Sequence, residues 1–331
     1  GVVFGNGATL VAANNSSQFI SIINGETGVE MARDPVPNPY LADGPLNGHM
    51  GILYLDGQRP SVFLEAKNRR ADNGFQGLTT AWDYRNGVIS RRWSWDADTL
   101  RQHAPEGHQV RLGDPDNDGK DEFLDIGYGI DDNGQQLFNI PEVVHGDRFH
   151  LADIDPDRPG LETYLIQQNN GSGLATALIE AGTGKFIKKW YAGGVVDVGR
   201  GLAADIDPAH KGLEMFSTQA NIYNSKGDAI HSSRPFPPEA VWWDGNLSRE
   251  FLATVGSTAE APAIARFDAN NPASQSRIYT IYNQTPPGVY WAYGGRAPFW
   301  GDIQGDWREE VVVVANDHSE LRIYTTTISA P

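Results

Sequence analysis

Acidic side chains recur at alternate positions in short turns along this chain. In the clearest turn, aspartates stand at positions one, three and five, a glycine follows at position six, and a glutamate closes the turn at position nine. Alternate carboxylates on a tight loop direct their oxygens to one point, as the hard cation Ca²⁺ requires. We predict a calcium site here, with a solvated acidic turn as the alternative. The predicted ligands are Asp114, Asp116, Asp118, the backbone carbonyl of Lys120, and Glu122.

Three later turns repeat parts of this pattern. Two of them have the same length from first aspartate to glutamate, but position five is Asp157 in one and Ala209 in the other, which argues against Asp157 as a ligand. The last turn has Gln304 at position three, so a metal-bound and a metal-free turn both remain open there. The predicted ligands are Asp153, Asp155 and Glu162, then Asp205, Asp207 and Glu214, then Asp302, Asp306 and Glu310.

Short strands must position these turns. Runs such as Phe19-Ile20-Ser21-Ile22-Ile23 are followed closely by turn signals such as Asn24-Gly25, a pattern typical of antiparallel strands. The acidic turns recur as well, with gaps of 58, 39, 52, 39 and 58 residues between Asp56, Asp114, Asp153, Asp205, Asp244 and Asp302. These gaps scatter around the length of a propeller blade. We predict an all-β, calcium-stabilised β-propeller of six to eight blades that forms a single domain over residues 1–331, with a pair of β-sandwiches as the alternative.

Charge and residue composition exclude some classes of function and favour others. A net charge of -16 argues against nucleic acid as a partner, and no apolar run is long enough to predict a membrane span. The chain has no cysteine, so thiolate chemistry and disulfides are excluded. The N-terminal residues do not have the pattern of a signal peptide, which we interpret as a mature or trimmed form of the protein. Asn-x-Ser/Thr sequons favour a secreted, extracellular protein.

Longer motifs around the acidic turns resemble a known family. His145-Gly146-Asp147-Arg148 opens a matching stretch over residues 145–162, and further matches cover residues 197–208, 242–250, 305–310 and 321–327. The chain thereby resembles the rhamnogalacturonan lyases of polysaccharide lyase family eleven. The resemblance implies an eight-bladed calcium propeller. It also implies β-elimination between rhamnose and the 4-position of galacturonate in rhamnogalacturonan I.

The chain also departs from the family pattern. Family members usually carry further sequence before this region and after the final Thr-Thr-Thr, so we expect truncation at both ends. A calcium-ligand glutamate of the family falls on Gln168, and a family lysine has Arg296 as its nearest counterpart. Ala66-Lys67-Asn68-Arg69-Arg70 replaces a family segment rich in arginine and tyrosine. These departures bear on the substrate more than on the fold.

The implied chemistry assigns roles to a few residues. Elimination needs the uronate carboxylate neutralised and a base that reaches the C5 proton. Arg200 lies between glycines and matches the family's functional arginine, and Arg296 is the second candidate, with a structural arginine as the alternative for each. His108, His145 and Asp147 match a family calcium site, and His145 could instead act as an acid–base residue. Trp300 could stack on a sugar ring. The predicted catalytic residues are Arg200, Arg296 and His145, and the predicted substrate-binding residues are Arg200, Arg296 and Trp300.

The predicted activity is therefore that of a calcium-dependent lyase on an acidic plant cell-wall polysaccharide. One alternative is a lyase acting on a related rhamnose–uronate polymer. Another is a lectin-like, calcium-dependent binding module for acidic glycans, which the change to Gln168 would favour. A glycoside hydrolase would need a free pair of carboxylic acids, whereas the acidic residues here are assigned to metal turns. We expect a monomer.

Overall fold

The computed structural model describes residues 2–5, 18–37, 47–69, 75–219, 221–236, 239–255, 261–281, 289–290, 299–315 and 318–329. The chain divides into two compact units. The first comprises Gly1–Leu151 and Gly160–Asp197, and the second comprises Ala152–Pro159 and Val198–Pro331. Among the described residues, no helix has the length and apolar character needed to span a membrane.

The first unit holds strands β1 to β17, apart from the last residue of β14, and one helical turn, α1. The elements are β1 (Val2–Gly5), β2 (Phe19–Ile23), β3 (Glu30–Pro35), β4 (Asn47–Leu53), β5 (Ser61–Arg69), β6 (Phe75–Arg85), β7 (Val88–Asp96), α1 (Ala97–Leu100), β8 (Glu106–Gly107), β9 (Arg111–Gly113), β10 (Glu122–Asp125), β11 (Tyr128–Ile130), β12 (Gln136–Asn139), β13 (His145–Gly146), β14 (Arg148–Ala152), β15 (Glu162–Ile166), β16 (Leu174–Glu180) and β17 (Phe186–Tyr191).

Consecutive strands of this unit form antiparallel meanders. Strands β1 to β3 form a three-stranded sheet, and β4 to β7, β9 to β12 and β14 to β17 each form a four-stranded sheet in chain order. The exception is the parallel pair of β8 with β13, which joins two segments that lie 39 residues apart. The other pairs join strands that follow one another in the chain, through tight turns such as Asn86-Gly87 or through longer loops such as the acidic turns, so the order within each sheet follows the sequence.

The second unit repeats the same plan. Strands β18 to β21 and β22 to β25 form four-stranded sheets in chain order. In the last sheet β28 is the interior strand, with β29 along one edge and β26 and β27 along the other. The strands are β18 (Gly201–Ala204), β19 (Glu214–Ser217), β20 (Ile222–Tyr223), β21 (Ala229–His231), β22 (Ala240–Val241), β23 (Glu250–Val255), β24 (Ala261–Arg266), β25 (Ser276–Thr280), β26 (Val289–Tyr290), β27 (Phe299–Gly301), β28 (Glu310–Ala315) and β29 (Leu321–Tyr324).

Within each unit the core lies between consecutive sheets. In the first unit, Phe63 of β5 stacks on Phe123 of β10 with ring centroids 4.6 Å apart, and Leu124 shares a cluster with Leu165 of β15. In the second unit, Phe216 of β19 and Phe251 of β23 belong to one buried cluster. Both faces of an interior sheet are therefore apolar, which explains why strands such as β10 and β19 are buried at every position.

The expectation of an all-β chain built from short antiparallel strands is confirmed. The predicted turn at Asn24-Gly25 links β2 to β3, and a turn of similar sequence, Gly182-Thr183-Gly184, links β16 to β17. The predictions of a single propeller domain and of its blade number stay predictions.

Candidate functional site

A buried glutamate opens an interior strand in five of the four-stranded sheets. These residues are Glu122 in β10, Glu162 in β15, Glu214 in β19, Glu250 in β23 and Glu310 in β28. In the last three, one carboxylate oxygen accepts two backbone N–H groups of the preceding turn. The atoms around the remaining carboxylate oxygens distinguish one turn from the next.

The first acidic turn joins β9 to β10 and is shaped by its own side chains. The Asp114 carboxylate accepts the backbone N–H of Asp118 at 3.0 Å and that of Gly119 at 3.0 Å. Gly119 has a φ of +87°, a left-handed conformation that favours glycine, so the predicted sharp turn is present. Asp116 also accepts the Asp118 N–H, at 3.2 Å. The turn therefore curls its carboxylates inward over its backbone.

Glu122 lies beneath this turn and is the best evidence for a cation there. Its side chain is 0% exposed, and within the described part of the chain neither carboxylate oxygen has a hydrogen-bond partner. It groups with Asp114 and Asp116, with one oxygen from each lying within 4.8 Å of the others. Burial, followed by the nearby aspartates, raises the pKa of Glu122 to about 9. An unpaired buried carboxylate among further carboxylates is a donor set that fits Ca²⁺.

Asp132 joins this cluster from a different hairpin. Together with Asp118 and Glu122 it forms a second group whose ligand atoms lie within 4.8 Å of one another. The Lys120 ammonium lies 2.9 Å from an Asp118 oxygen and 3.1 Å from an Asp132 oxygen, and the Asp118 hydrogen bond raises the pKa of Lys120. Asp132 was not among the predicted ligands, because Asp132-Asn133-Gly134 has the sequence of an ordinary turn and lies outside the four acidic turns. The adjacent acid Asp131 was the available signal.

The third acidic turn, between β18 and β19, also has an unpaired buried oxygen. One oxygen of Glu214 accepts the N–H groups of Ile206 at 2.9 Å and Asp207 at 3.0 Å, while the other has no hydrogen-bond partner among the described residues. Burial raises the pKa of Glu214 to about 7 and also raises that of Asp205. Asp207 lies 3.6 Å from the Nε2 atom of His231, a neighbour that turn spacing could not reveal. This donor set also fits Ca²⁺.

The second acidic turn crosses the boundary between the two units. Asp153 and Asp155 belong to the second unit, where Asp153 is exposed and Asp155 is buried, and Glu162 is buried in the first unit. Lys226 forms ion pairs with Asp155 and with Asp157, the latter at 2.8 Å. Lys226 thus contacts Asp155, a predicted ligand, as well as Asp157, which is not one, and a metal in this turn stays a prediction.

The fourth acidic turn satisfies most of its own acceptors. The Asp302 carboxylate accepts three backbone N–H groups at distances between 2.5 and 3.1 Å. Glu310 accepts two more, and its other oxygen accepts the Thr325 hydroxyl at 3.2 Å. Asp306 pairs with Arg308. These contacts describe a turn that can hold its shape through hydrogen bonds, and a metal there stays a prediction.

Glu250 opens β23 as the other buried glutamates open their strands, but its cationic neighbour is an arginine side chain. The Nε atom of Arg266 lies 3.5 Å from one Glu250 oxygen and 3.0 Å from an Asp244 oxygen. Even so, burial raises the pKa of Glu250 to about 7. The Arg266 guanidinium thus lies beside the Glu250 carboxylate, whereas the corresponding oxygens of Glu122 and Glu214 have no hydrogen-bond partner among the described residues.

His108, His145 and Asp147 come together at the parallel pair of β8 and β13. The His108 N–H donates to the Gly146 carbonyl at 3.1 Å, which aligns the two segments side by side. The two imidazole rings have centroids 5.2 Å apart, and His108 Nδ1 lies 3.6 Å from Asp147 Oδ1. One ligand atom from each of the three lies within 4.8 Å of the others. The group can hold a cation or support proton transfer.

The remaining predicted residues have different settings. Arg200, in the second unit, precedes β18; its carbonyl accepts the Thr218 N–H at 2.9 Å, and Gly199 before it has a φ of +52°. Its guanidinium is half-buried and donates to the Gly199 carbonyl at 3.3 Å. Trp300 in β27 packs against the core cluster of the last two sheets, which gives it a packing role. Arg296 lies outside the described residues.

Consecutive antiparallel sheets with carboxylate-lined turns define an all-β protein with several candidate cation sites. The family described as "Rhamnogalacturonan lyase family 11, C-terminal domain" matches residues 46–331 of this chain. The chain therefore belongs to rhamnogalacturonan lyase family 11.

Individual relatives agree with this assignment. The chain is 34% identical to the rhamnogalacturonan endolyase YesW of Bacillus subtilis (strain 168) over 328 residues, which are 94% of this chain and 49% of the relative. It is 34% identical to the exolyase YesX of the same organism, covering 94% of this chain and 52% of the relative. A solved rhamnogalacturonan lyase from Bacillus licheniformis matches with a TM-score of 0.82 and 31% identity, over 95% of this chain and 53% of that one. The chain spans about half the length of the curated relatives it matches.

Proposed function

We propose that this chain acts as a rhamnogalacturonan lyase, cleaving the rhamnose–galacturonate bond of rhamnogalacturonan I by β-elimination. The observation that carries the proposal is the family match over residues 46–331. Two relatives similar along 94% of the chain are named as an endolyase and an exolyase of rhamnogalacturonan. Because these names differ in the mode of attack, the proposal extends to the reaction and not to endo or exo cleavage.

The grouping of His108, His145 and Asp147 supports this chemistry. When bound, a calcium ion at this group would offset the charge of a uronate carboxylate and make the C5 proton more acidic. If His145 does not coordinate the ion, it is instead a candidate to accept that proton, because an uncoordinated neutral imidazole nitrogen can act as a base. Arg200 is proposed to hold a uronate carboxylate through its guanidinium fork. His108 is exposed and Asp147 is buried, so the group is accessible from solvent on the His108 side.

We also propose that the sheets are the blades of a calcium-stabilised propeller. The support is that, within each unit, every interior sheet packs both faces against its neighbours in chain order. The unpaired oxygens of Glu122 and Glu214 support calcium in at least two turns. We further propose that the protein is a secreted monomer. Its proposed partner is an acidic plant cell-wall polysaccharide, and not nucleic acid or a membrane.

The test is to incubate the chain with purified rhamnogalacturonan I and Ca²⁺ and follow absorbance near 235 nm. Only elimination creates an unsaturated uronate, so an increase in absorbance with new reducing ends supports the proposal. New reducing ends without absorbance would indicate a hydrolase instead. Retention of the polysaccharide on immobilised protein, with neither product, would favour the binding-module alternative.

A further inference from the structure

Arg111 is a cationic residue beside the candidate site that neither the acidic turns nor the family motifs explain. It is the first residue of β9, and it lies three residues after His108. The parallel pairing of β8 with β13 brings this segment beside the one that continues through Arg148 and Phe149 into β14. The Arg111 guanidinium carbon lies 5.3 Å from the centroid of the Phe149 ring.

The contacts of Arg111 leave its charge uncompensated. Its Nη1 donates to the Val110 carbonyl at 2.8 Å, and its Nη2 donates to the Gln109 side-chain oxygen at 2.9 Å. Both acceptors are neutral, and no ion pair of Arg111 occurs in the part of the chain that the structure describes. Other arginines of this acidic protein do pair with carboxylates, as Arg266 does with Asp244.

The surroundings of Arg111 favour an incoming anion. Burial lowers the pKa of Arg111, and the like charge of Arg148 lowers it further. A guanidinium has five N–H donors, and the two hydrogen bonds above leave the others available. A planar carboxylate suits such a fork, and it would supply the missing negative charge.

We propose that Arg111 forms a subsite that binds a uronate carboxylate of the polysaccharide, next to the group formed by His108, His145 and Asp147. The identity of the anion rests on the proposed function, since a rhamnogalacturonan backbone carries one carboxylate per repeating disaccharide. Arg111 then binds substrate, with the Phe149 ring and the Gln109 side chain holding the guanidinium in place.

The chain offers a matched control in Arg234. This half-buried arginine likewise donates to neutral oxygens, with Nε 3.1 Å from the Gln219 carbonyl and Nη2 2.8 Å from the Thr218 carbonyl. Its guanidinium carbon lies 5.7 Å from the centroid of the Phe236 ring, and burial lowers its pKa. It belongs to the second unit and lies away in sequence from the candidate group. Arg234→Gln therefore reports what the loss of such an arginine does to the fold, including the Thr218 segment, whose N–H pairs with the Arg200 carbonyl.

The experiment is calorimetric titration with two probes, an oligosaccharide of alternating rhamnose and galacturonate and its methyl ester. Wild type is expected to bind the acid more tightly than the ester. Arg111→Gln is expected to bind the acid about tenfold more weakly, equivalent to about 1.4 kcal/mol, and the ester unchanged. Arg111→Lys should lie between them for the acid, because it keeps the charge and loses the fork. Arg234→Gln should behave as wild type.

Each contrary result has a defined meaning. An acid affinity of Arg111→Gln within twofold of wild type, an equal loss for acid and ester, or no binding of either probe by wild type would overturn the subsite. Melting temperatures of all variants are recorded, and if Arg111→Gln does not fold, the acid–ester comparison of Arg111→Lys decides. Absorbance near 235 nm is followed in the same samples. Absence of unsaturated product would refute the lyase activity while leaving the acid–ester comparison valid.

Discussion

A buried carboxylate at the start of an interior strand must be compensated, and this chain does so in different ways. Glu310 accepts hydrogen bonds from backbone N–H groups and from the Thr325 hydroxyl, whereas Glu250 pairs with Arg266. Glu122 has no hydrogen-bond partner among the described residues. Since an isolated buried charge is costly, Glu122 needs either a proton or a bound cation. The same position in the fold can thus be purely structural or can bind metal, depending on its neighbours.

Arg200→Ala is expected to abolish most turnover on rhamnogalacturonan I while leaving the melting temperature close to that of wild type. A group that stabilises the transition state affects turnover more than it affects binding. Arg200→Lys should retain little activity if a bidentate grip on the carboxylate matters, and more if charge alone matters. Initial rates at 235 nm and thermal melting provide the measurements. A well-folded Arg200→Ala protein with a near-normal rate would remove Arg200 from the site.

Glu142 makes a pH-dependent contribution to stability. Its carboxylate accepts hydrogen bonds from Lys189 at 2.5 Å and from the Tyr191 hydroxyl at 2.6 Å. The Lys189 hydrogen bond, followed by that of Tyr191, lowers the pKa of Glu142 below its ordinary value. A lowered pKa means that the contribution is present above the unfolded pKa of about 4.3 and is lost as pH falls through the folded pKa.

Glu142→Gln should therefore be less stable than wild type at pH 7, by up to about 1 kcal/mol for a partly exposed ion pair. The difference should shrink as the pH falls below about 4 and vanish in stronger acid. Urea unfolding of both proteins across this range measures the difference, and any bound calcium that is lost in acid would affect both proteins alike. A gap that stays constant with pH would mean that the substitution acts through packing instead.

At the scale of the elements, two glycines in matching hairpin turns differ in whether they pack against a neighbouring sheet. Gly184, in the turn between β16 and β17, has a φ of +69°, and a Cβ placed on it would come 2.4 Å from the ring of Phe138 in β12. Gly28, in the matching turn between β2 and β3, has nearly the same φ, +71°, but a Cβ placed on it would meet no atom within 4 Å among the described residues. The two glycines share a backbone requirement and differ in packing.

Gly184→Ala should destabilise the protein more than Gly28→Ala does. Both substitutions incur a left-handed backbone penalty of about 1 kcal/mol. Only Gly184→Ala also overpacks the contact with Phe138, which adds about 1 to 3 kcal/mol. Free energies of unfolding from urea denaturation provide the comparison. Equal losses would show that the ring of Phe138 moves aside without cost.

The sequence predicted the strands, the hairpins and most of the acidic turns, because each depends on residues close together in the chain. It could not predict contacts between residues that only the pairing of strands or the packing of sheets brings together. Asp132 reaches Glu122 from another hairpin, and Arg111 meets Phe149 only because β8 pairs with β13. The sequence also could not show that Trp300, which pairs with Val311 of β28, packs against a core cluster, and its predicted contact with a sugar ring stays a prediction.

At the scale of the whole molecule, the net charge of -16 is concentrated partly in turns that bring carboxylates together. Repulsion among such groups opposes folding unless cations are bound. A ligand that binds only the folded state stabilises it by about 2.7 kcal/mol at a concentration one hundred times its dissociation constant. If several turns bind Ca²⁺, stability should depend strongly on the free calcium concentration.

Exhaustive chelation with EGTA should therefore lower the melting temperature, and added Ca²⁺ should restore it. Mg²⁺ should restore less, because its small octahedral shell suits these crowded carboxylates poorly.

Glu122→Gln separates the first turn from the rest: it should melt near wild type in EGTA, where a pKa of about 9 keeps Glu122 protonated at neutral pH. With Ca²⁺ it should recover less stability than wild type does. Glu250→Gln, which loses its contact with Arg266, should be destabilised equally with and without Ca²⁺. Calorimetric melting of the three proteins in both buffers measures all of this, and a wild-type curve that does not respond to chelation would rule out structural calcium.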